Sequence, residues 1–129
     1  MKCLEVIFIR VKIKGYLKNI SSNEVLEFNE KGIKNKNKIT YTSDNVKHSI
    51  KINDDKILLI RESDEFLNNF VFEKEKGMSN YLLKENGYCL DLEVITLHIS
   101  MSENSILIKY KIVETDNDYE FKIEMSEIL

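Results

Sequence analysis

The sequence predicts an all-β protein, a single antiparallel up-and-down barrel of about eight to ten strands with little or no helix. Apolar residues recur at every second position through most of the 129 residues, which is the period of a strand with one buried face. Turn-forming residues separate these runs every ~8–14 residues, a spacing typical of sandwiches and barrels. The chain contains no alanine, the best helix former, which argues against a helical bundle.

The period-two runs predict nine or ten strands within one domain spanning residues 1–129. The runs lie at residues 7–14, 24–28, 39–42, 46–52, 56–61, 70–72, 78–83, 90–101, 106–112 and 119–125. Long strands joined by tight hairpins favour a closed barrel, because closure leaves no unpaired sheet edge. The run at 56–61 is apolar on both faces, which is typical of a strand that is covered on two sides.

Two local signals refine this arrangement. Apolar residues occupy even positions up to Val94 and odd positions from Ile95 onward, so a β-bulge or sharp bend is expected at Val94-Ile95. The Asn86-Gly87 pair predicts a type I′ hairpin turn, since both residues readily adopt positive φ.

The charge distribution limits the classes of partner. The formal net charge is −3, which does not favour a general nucleic-acid or anionic-membrane role. The stretch from Lys31 to Lys38 holds four lysines in eight residues, but it lacks the interleaved aromatics of a single-strand binding platform. We expect an exposed turn or weak strand at residues 29–38 and a solvated loop over the lysines, with contact to RNA or phosphates as the alternative.

The chain is expected to be a cytoplasmic protein. Glu5 and Arg10 interrupt the apolar N-terminal run before it reaches signal-peptide length. No apolar stretch approaches the ~20 residues of a membrane span. Cys3 and Cys89 form no CxxC pair, so we expect two reduced, partly buried thiols.

The middle and the end of the chain resemble a known family. The shared positions at residues 46–125 are mostly apolar strand residues, with Arg61, Gly77 and Tyr81 carrying the most information. This segment resembles the YwiB-like family, a bacterial domain of unknown function with a calycin-like, lipocalin-type β-barrel. The resemblance implies this fold and no particular activity, because barrels of this class host many functions.

Arg61 is the most informative candidate site residue. It is one of only two arginines in a lysine-rich chain, and a planar guanidinium is retained where bidentate or stacked geometry matters. Arg61 lies at an odd-numbered position, as do Ile57 and Leu59, so it shares their face of the strand and should point into the barrel. The expected ion-pair partner is Glu73. An anchor for an anionic ligand and a barrel-closing ion pair are the two interpretations.

Histidine and tyrosine supply the remaining candidates. His48 lies on the apolar face of its strand, where it could contact a ligand or serve as a hydrogen-bonded residue at the rim of the core. Tyr81, Tyr88 and Tyr110 could line a cavity or simply pack between strands. His98 is expected to face outward, and two histidines on unrelated strands make a poor metal site.

Two functional hypotheses follow. The first is a binding protein for a small apolar or anionic ligand inside the barrel, lined by His48, Arg61, Glu73, Tyr81 and Tyr110. The second is a structural or protein-interaction module with a solidly packed barrel. No catalytic motif supports an enzyme, and we expect no cofactor, no metal, no nucleic-acid partner and no membrane partner. The oligomeric state is left open, and cavity volume distinguishes the two hypotheses.

Overall fold

Ten antiparallel strands close into a barrel in the computed structural model, which describes residues 8–128. The strands are β1 Ile9–Asn19, β2 Glu24–Asn35, β3 Lys38–Ser43, β4 Val46–Asn53, β5 Lys56–Glu62, β6 Phe66–Glu73, β7 Lys76–Leu83, β8 Tyr88–Ser102, β9 Ser105–Ile112 and β10 Asn117–Glu127. Each strand pairs with its neighbours in the sequence, and β1 pairs with β10 to complete the circle. The predicted all-β up-and-down barrel is confirmed, at the upper end of the expected strand number.

The hairpin turns define two ends of the barrel. The turns after the odd-numbered strands lie at one end, which we call the open end, and those after β2, β4, β6 and β8 lie at the other, which we call the packed end. The packed end holds most of the core. Its fully buried apolar side chains are Ile13, Ile39, Ile50, Ile57, Phe72, Val94, Ile106, Ile108 and Ile123. Branched isoleucines suit a pleated surface, and each buried one contributes roughly 1.5–3 kcal/mol of hydrophobic free energy.

At residues 29–38 the weak strand is the alternative that the structure confirms, and the solvated loop expected over Lys31–Lys38 is wrong for all but the turn. One continuous strand runs from Glu24 to Asn35, and only Lys36 and Asn37 form the turn that follows it. The interior positions of β2 include Glu30 and Gly32, so this strand lacks the apolar alternation that marks the others. Pairing with β1 over eleven residues holds it in place despite its polar sequence.

The expected bulge exists, but it lies beyond Val94-Ile95. The pairing of β8 with β9 shifts between Thr96 and His98, which leaves Leu97 as the extra residue. Ile95 still follows the inward–outward alternation and points outward. The change from even to odd apolar positions therefore placed the bulge a few residues too early.

The connection between β7 and β8 also differs from the prediction. A four-residue turn at 84–87 replaces the two-residue type I′ turn, and Gly87 has a φ of 71° whereas Asn86 keeps a negative φ. Cys89, just beyond this turn, is exposed rather than partly buried. Cys3 lies outside the described residues.

Candidate ligand-binding cavity

A cavity of about 490 Å³ opens at the open end of the barrel. Its walls are mainly aromatic and aliphatic, with Arg61 and His48 among them and Glu27 and Asp44 at its edge. An eight-stranded barrel is just wide enough to be filled by side chains, and the diameter grows with the number of strands. Ten strands therefore leave space where the large isoleucines of the packed end are absent.

Stacked rings form one wall of this cavity. The ring centroids of Phe121 and Phe28 lie 6.3 Å apart, those of Phe28 and Tyr41 5.4 Å, and those of Tyr41 and His48 4.6 Å. The Tyr41 and His48 rings are parallel within 2°. The wall thus extends from β10 across to β4, although β1 lies between β10 and β2 in the sheet.

Glycine makes this continuous wall possible. Gly15 on β1 pairs with Phe28, and a Cβ atom at Gly15 would lie 2.6 Å from the Phe28 Cζ atom and also meet the Lys122 carbonyl oxygen. Gly32 on β2 pairs with Tyr41 and is similarly crowded. The absence of a side chain at Gly15 therefore admits the Phe28 ring, as in the rescue of strand glycines by cross-strand aromatics, and its absence at Gly32 admits the Ile13 side chain beside Tyr41.

Arg61 points into this cavity from β5, as its parity predicted. It pairs with His48 on β4 and with Asn68 on β6, and its Cζ atom lies 6.0 Å from the centroid of the Phe66 ring. Its Nε atom is buried and makes no hydrogen bond among residues 8–128. None of the ion pairs within that range involves Arg61.

The interior suits a neutral histidine and protonated tyrosines. Burial, followed by the positive charge of Arg61, lowers the pKa of His48 to about 4. Burial raises the pKa of Tyr41 and of Tyr110 well above the ordinary value for a phenol, and Arg61 opposes this in both cases. Near neutral pH, Arg61 is therefore the cation of this site, beside hydroxyls that keep their protons.

The predicted site residues divide into three groups. His48, Arg61 and Tyr110 line the cavity together. Tyr81 stacks on Phe66, with ring centroids 5.5 Å apart, and so contacts the cavity through a lining residue. Glu73 lies at the packed end of β6, so placing it in this site is wrong. Tyr88 is 55% exposed.

The expected ion pair between Arg61 and Glu73 is also wrong. Glu73 alternates with the inward-facing Phe72 and points outward, where its carboxylate lies 3.2 Å from Lys56 Nζ and 3.9 Å from Lys76 Nζ. Arg61 on β5 instead lies opposite Asn68 on β6, and Asn68 precedes Glu73 by five residues.

Sequence reasoning missed several lining residues. Tyr41 shares parity with the buried Ile39, and Phe66 shares parity with Phe70 and Phe72, so strand alternation could have identified both. Phe28 gave a weaker signal, because the residues that follow it on β2 are mostly polar.

Metal-ligating side chains are not clustered in the described part of the chain. Within residues 8–128, no group of three or more histidine, cysteine, aspartate or glutamate residues could hold a metal ion. Over the same range, no helix is long and apolar enough to cross a membrane.

The fold and the cavity define a closed, single-layer, ten-stranded antiparallel barrel with a largely aromatic cavity at its open end. Among solved structures, the chain is similar to the YwiB protein from Bacillus subtilis. The TM-score is 0.68, the sequence identity is 20%, and the match covers 95% of this chain and 92% of that one. This likeness shows a shared barrel fold and agrees with the resemblance seen in the sequence. No family model and no curated protein matches the chain.

Proposed function

We propose that this protein binds a small amphipathic anion, an apolar body with one carboxylate or similar acidic head group, in the cavity at the open end. The observation that carries the proposal is the Arg61 guanidinium, whose buried Nε atom has no partner among residues 8–128. A partly buried charge without an ion-pair partner is destabilising, and a bound anion relieves that penalty. A guanidinium also matches a carboxylate with two parallel hydrogen bonds.

The rest of the cavity suits the apolar body. Leu59 and Phe70 pair with each other one inward position closer to the packed end than Arg61, and both line the cavity. A volume of about 490 Å³ lies within the ~300–1,000 Å³ typical of small-molecule sites. An alkyl or aryl group can therefore occupy the interior while its head group stays at Arg61.

The alternative function, an interaction module, required a solidly packed barrel. The fully buried side chains lie towards the packed end, where a cleft of about 630 Å³ lies beside the β4–β5 and β6–β7 turns, whereas the open end keeps the cavity that holds Arg61. This arrangement supports the ligand-binding proposal over the interaction module.

The test compares three probes of equal chain length and different charge. Calorimetric titration with octanoate, octan-1-ol and octylammonium is expected to give clear binding for octanoate only. The Arg61→Met variant should lose at least about tenfold in octanoate affinity, or ~1.4 kcal/mol, and Arg61→Lys should recover only part of it, because an ammonium lacks the bidentate fork.

Arg10 supplies the matched control, since it is the other arginine and is exposed on β1. Arg10→Met should bind octanoate as the unaltered protein does. Equal binding of octanol and octanoate, or unchanged octanoate affinity in a folded Arg61→Met variant, would contradict the proposal. Native mass spectrometry of protein purified from its own host should show a retained acidic small molecule.

A further inference from the structure

The outer face of β5, β6 and β7 carries several large apolar side chains. Each of these strands directs two large aliphatic or sulfur-containing side chains away from the interior. These residues are Leu58, Ile60, Leu67, Val71, Met78 and Leu82, and we call them the outer apolar patch. Leu58 pairs with Val71 and Val71 with Met78, which gives one apolar row across the three strands, while the outward Asn69 and Asn80 separate this row from the Leu67–Leu82 pair. Met78 is 52% exposed.

Within residues 8–128, no second layer covers this patch. The barrel is one sheet, and β6 lies five strands from β1 in both directions around it. The chain enters the barrel at β1 and leaves it at β10, both on the far side from the patch. The two-sided apolar pattern of residues 56–61 predicted a doubly covered strand, and the described chain supplies only the interior cover. Met78 is exposed and the other five residues are half-buried, and partly exposed apolar surface of this kind is typical of an interaction site.

Opposite charges flank the two sides of the patch. One cross-strand row reads Lys51 on β4, then Leu58, Val71 and Met78, then Glu93 on β8. Lys51 and Glu93 are both exposed, and neither takes part in an ion pair within residues 8–128. The row is therefore basic at one side, apolar in the centre and acidic at the other.

We propose that this patch binds a second copy of the same chain, with the two sheets face to face around a two-fold axis that passes near Val71 and runs parallel to the strands. Such an axis reverses the row, so Lys51 of each copy meets Glu93 of the other, and the apolar centres meet each other. An apolar core with a charged rim is the usual anatomy of such an interface. The ligand cavity opens at the end of the barrel, so the dimer leaves it accessible.

Charge reversal tests this arrangement. Sedimentation velocity over a range of concentrations should show a monomer–dimer equilibrium for the unaltered protein. Lys51→Glu alone places two carboxylates together at each side of the interface, and Glu93→Lys alone places two ammonium groups together. Each single variant should therefore be shifted towards monomer by at least about tenfold in dissociation constant, since like charges at a rim oppose association.

The decisive arm mixes the two single variants. In their heterodimer, one side of the interface pairs two introduced charges of opposite sign and the other side keeps the native pair. A one-to-one mixture should therefore dimerise more tightly than either variant alone. Val71→Lys should abolish the dimer by placing two charges at its centre, and Lys12→Glu, an exposed substitution on β1, should leave it unchanged. A protein that stays monomeric at every concentration, or a dimer insensitive to both charge reversals and to Val71→Lys, would overturn the proposal.

Discussion

At the scale of single residues, the barrel keeps a histidine neutral beside an arginine. The His48 ring stacks on Tyr41 and pairs across strands with Arg61. Both burial and the neighbouring positive charge disfavour the imidazolium form, which is why the pKa of His48 is lowered to about 4. Protonation of His48 would place two positive charges side by side in the cavity wall.

This predicts a specific dependence of stability on pH. In the unfolded chain His48 has the ordinary pKa of about 6.5, so between pH ~6.5 and ~4 the unfolded state binds more protons than the folded state. The contribution of His48 to the free energy of unfolding should therefore fall as the pH drops through this window and level off below it. Urea denaturation of the unaltered protein and of His48→Gln, at pH about 7 and about 4.5, measures the difference.

His98 provides the control, because it is exposed and outward-facing on β8. His98→Gln should lose as much stability on acidification as the unaltered protein, whereas His48→Gln should lose less. If the unaltered protein and His48→Gln lost the same unfolding free energy on acidification, His48 would not be the group that causes the pH dependence.

The site residues show what strand alternation can and cannot reveal. Parity placed Arg61 inside the barrel correctly, and the same rule places Glu73 outside, because Phe72 beside it faces inward. Glu73 was chosen for its charge and its neighbouring strand, without this check. The stacking of Phe28 against Phe121 depends on closure between β1 and β10, which no local pattern encodes.

At the scale of elements, the bulge in β8 allows one long strand to serve two parts of the core. Before it, Val94 and Thr96 face inward, and after it Ile99 does so, with Leu97 as the residue that changes the parity. The Thr96 hydroxyl donates a hydrogen bond to the Lys76 carbonyl oxygen at 2.8 Å. A bulge adds local bend and twist, which a strand of 15 residues needs in order to follow a curved barrel wall.

Deletion of Leu97 should therefore be tolerated better than deletion of a regular strand residue. Removing Leu97 leaves Thr96 inward, His98 outward and Ile99 inward, so the pairing with β9 is kept. Removing Lys109 from β9 would instead move either Tyr110 or Ile108 to the wrong face. Thermal unfolding followed by circular dichroism should show a cooperative transition at reduced temperature for the Leu97 deletion and none for the Lys109 deletion.

Equal loss of structure in both deletions would contradict this interpretation. That outcome would mean that the curvature provided by the bulge, and not only the alternation of faces, is essential for closure. A deletion in the exposed 84–87 turn is a suitable reference for the general effect of shortening the chain.

The strands themselves were largely predictable, since nearly all of them show apolar alternation. β2 was the exception. Its inward positions carry Glu30 and Gly32, and Glu30 accepts a hydrogen bond from the Ser43 hydroxyl at 3.1 Å. An inward carboxylate satisfied by a neighbouring strand breaks the binary pattern, so the sequence of β2 without its tertiary partners resembles a loop.

At the scale of the whole molecule, the two ends of the described chain are neighbours in one sheet. Val11 pairs with Glu127, and the Ile128 amide donates a hydrogen bond to the Arg10 carbonyl oxygen at 2.9 Å. The connectivity of the barrel is therefore circular in space, and the chain could be opened at another exposed turn.

A circular permutant tests this property. Residues 128 and 8 are joined by a short Gly/Ser linker, and new ends are made between Asp54 and Asp55, which are exposed in the β4–β5 turn. This permutant should fold with a thermal midpoint close to that of the unaltered protein, because every strand pair is retained. New ends between Asn69 and Phe70, inside β6, should prevent folding. Failure of the first permutant would show that β1–β10 pairing depends on the native order of synthesis.

The pairing of the first strand with the last also affects biosynthesis. β1 leaves the ribosome about a hundred residues before β10, so one of its edges has no partner for a time on the order of ten seconds. During that interval the nascent chain is an open sheet with free edges, which can pair with other chains. The lysines that alternate along β1, Lys12, Lys14 and Lys18, give that waiting edge a charge that discourages such pairing.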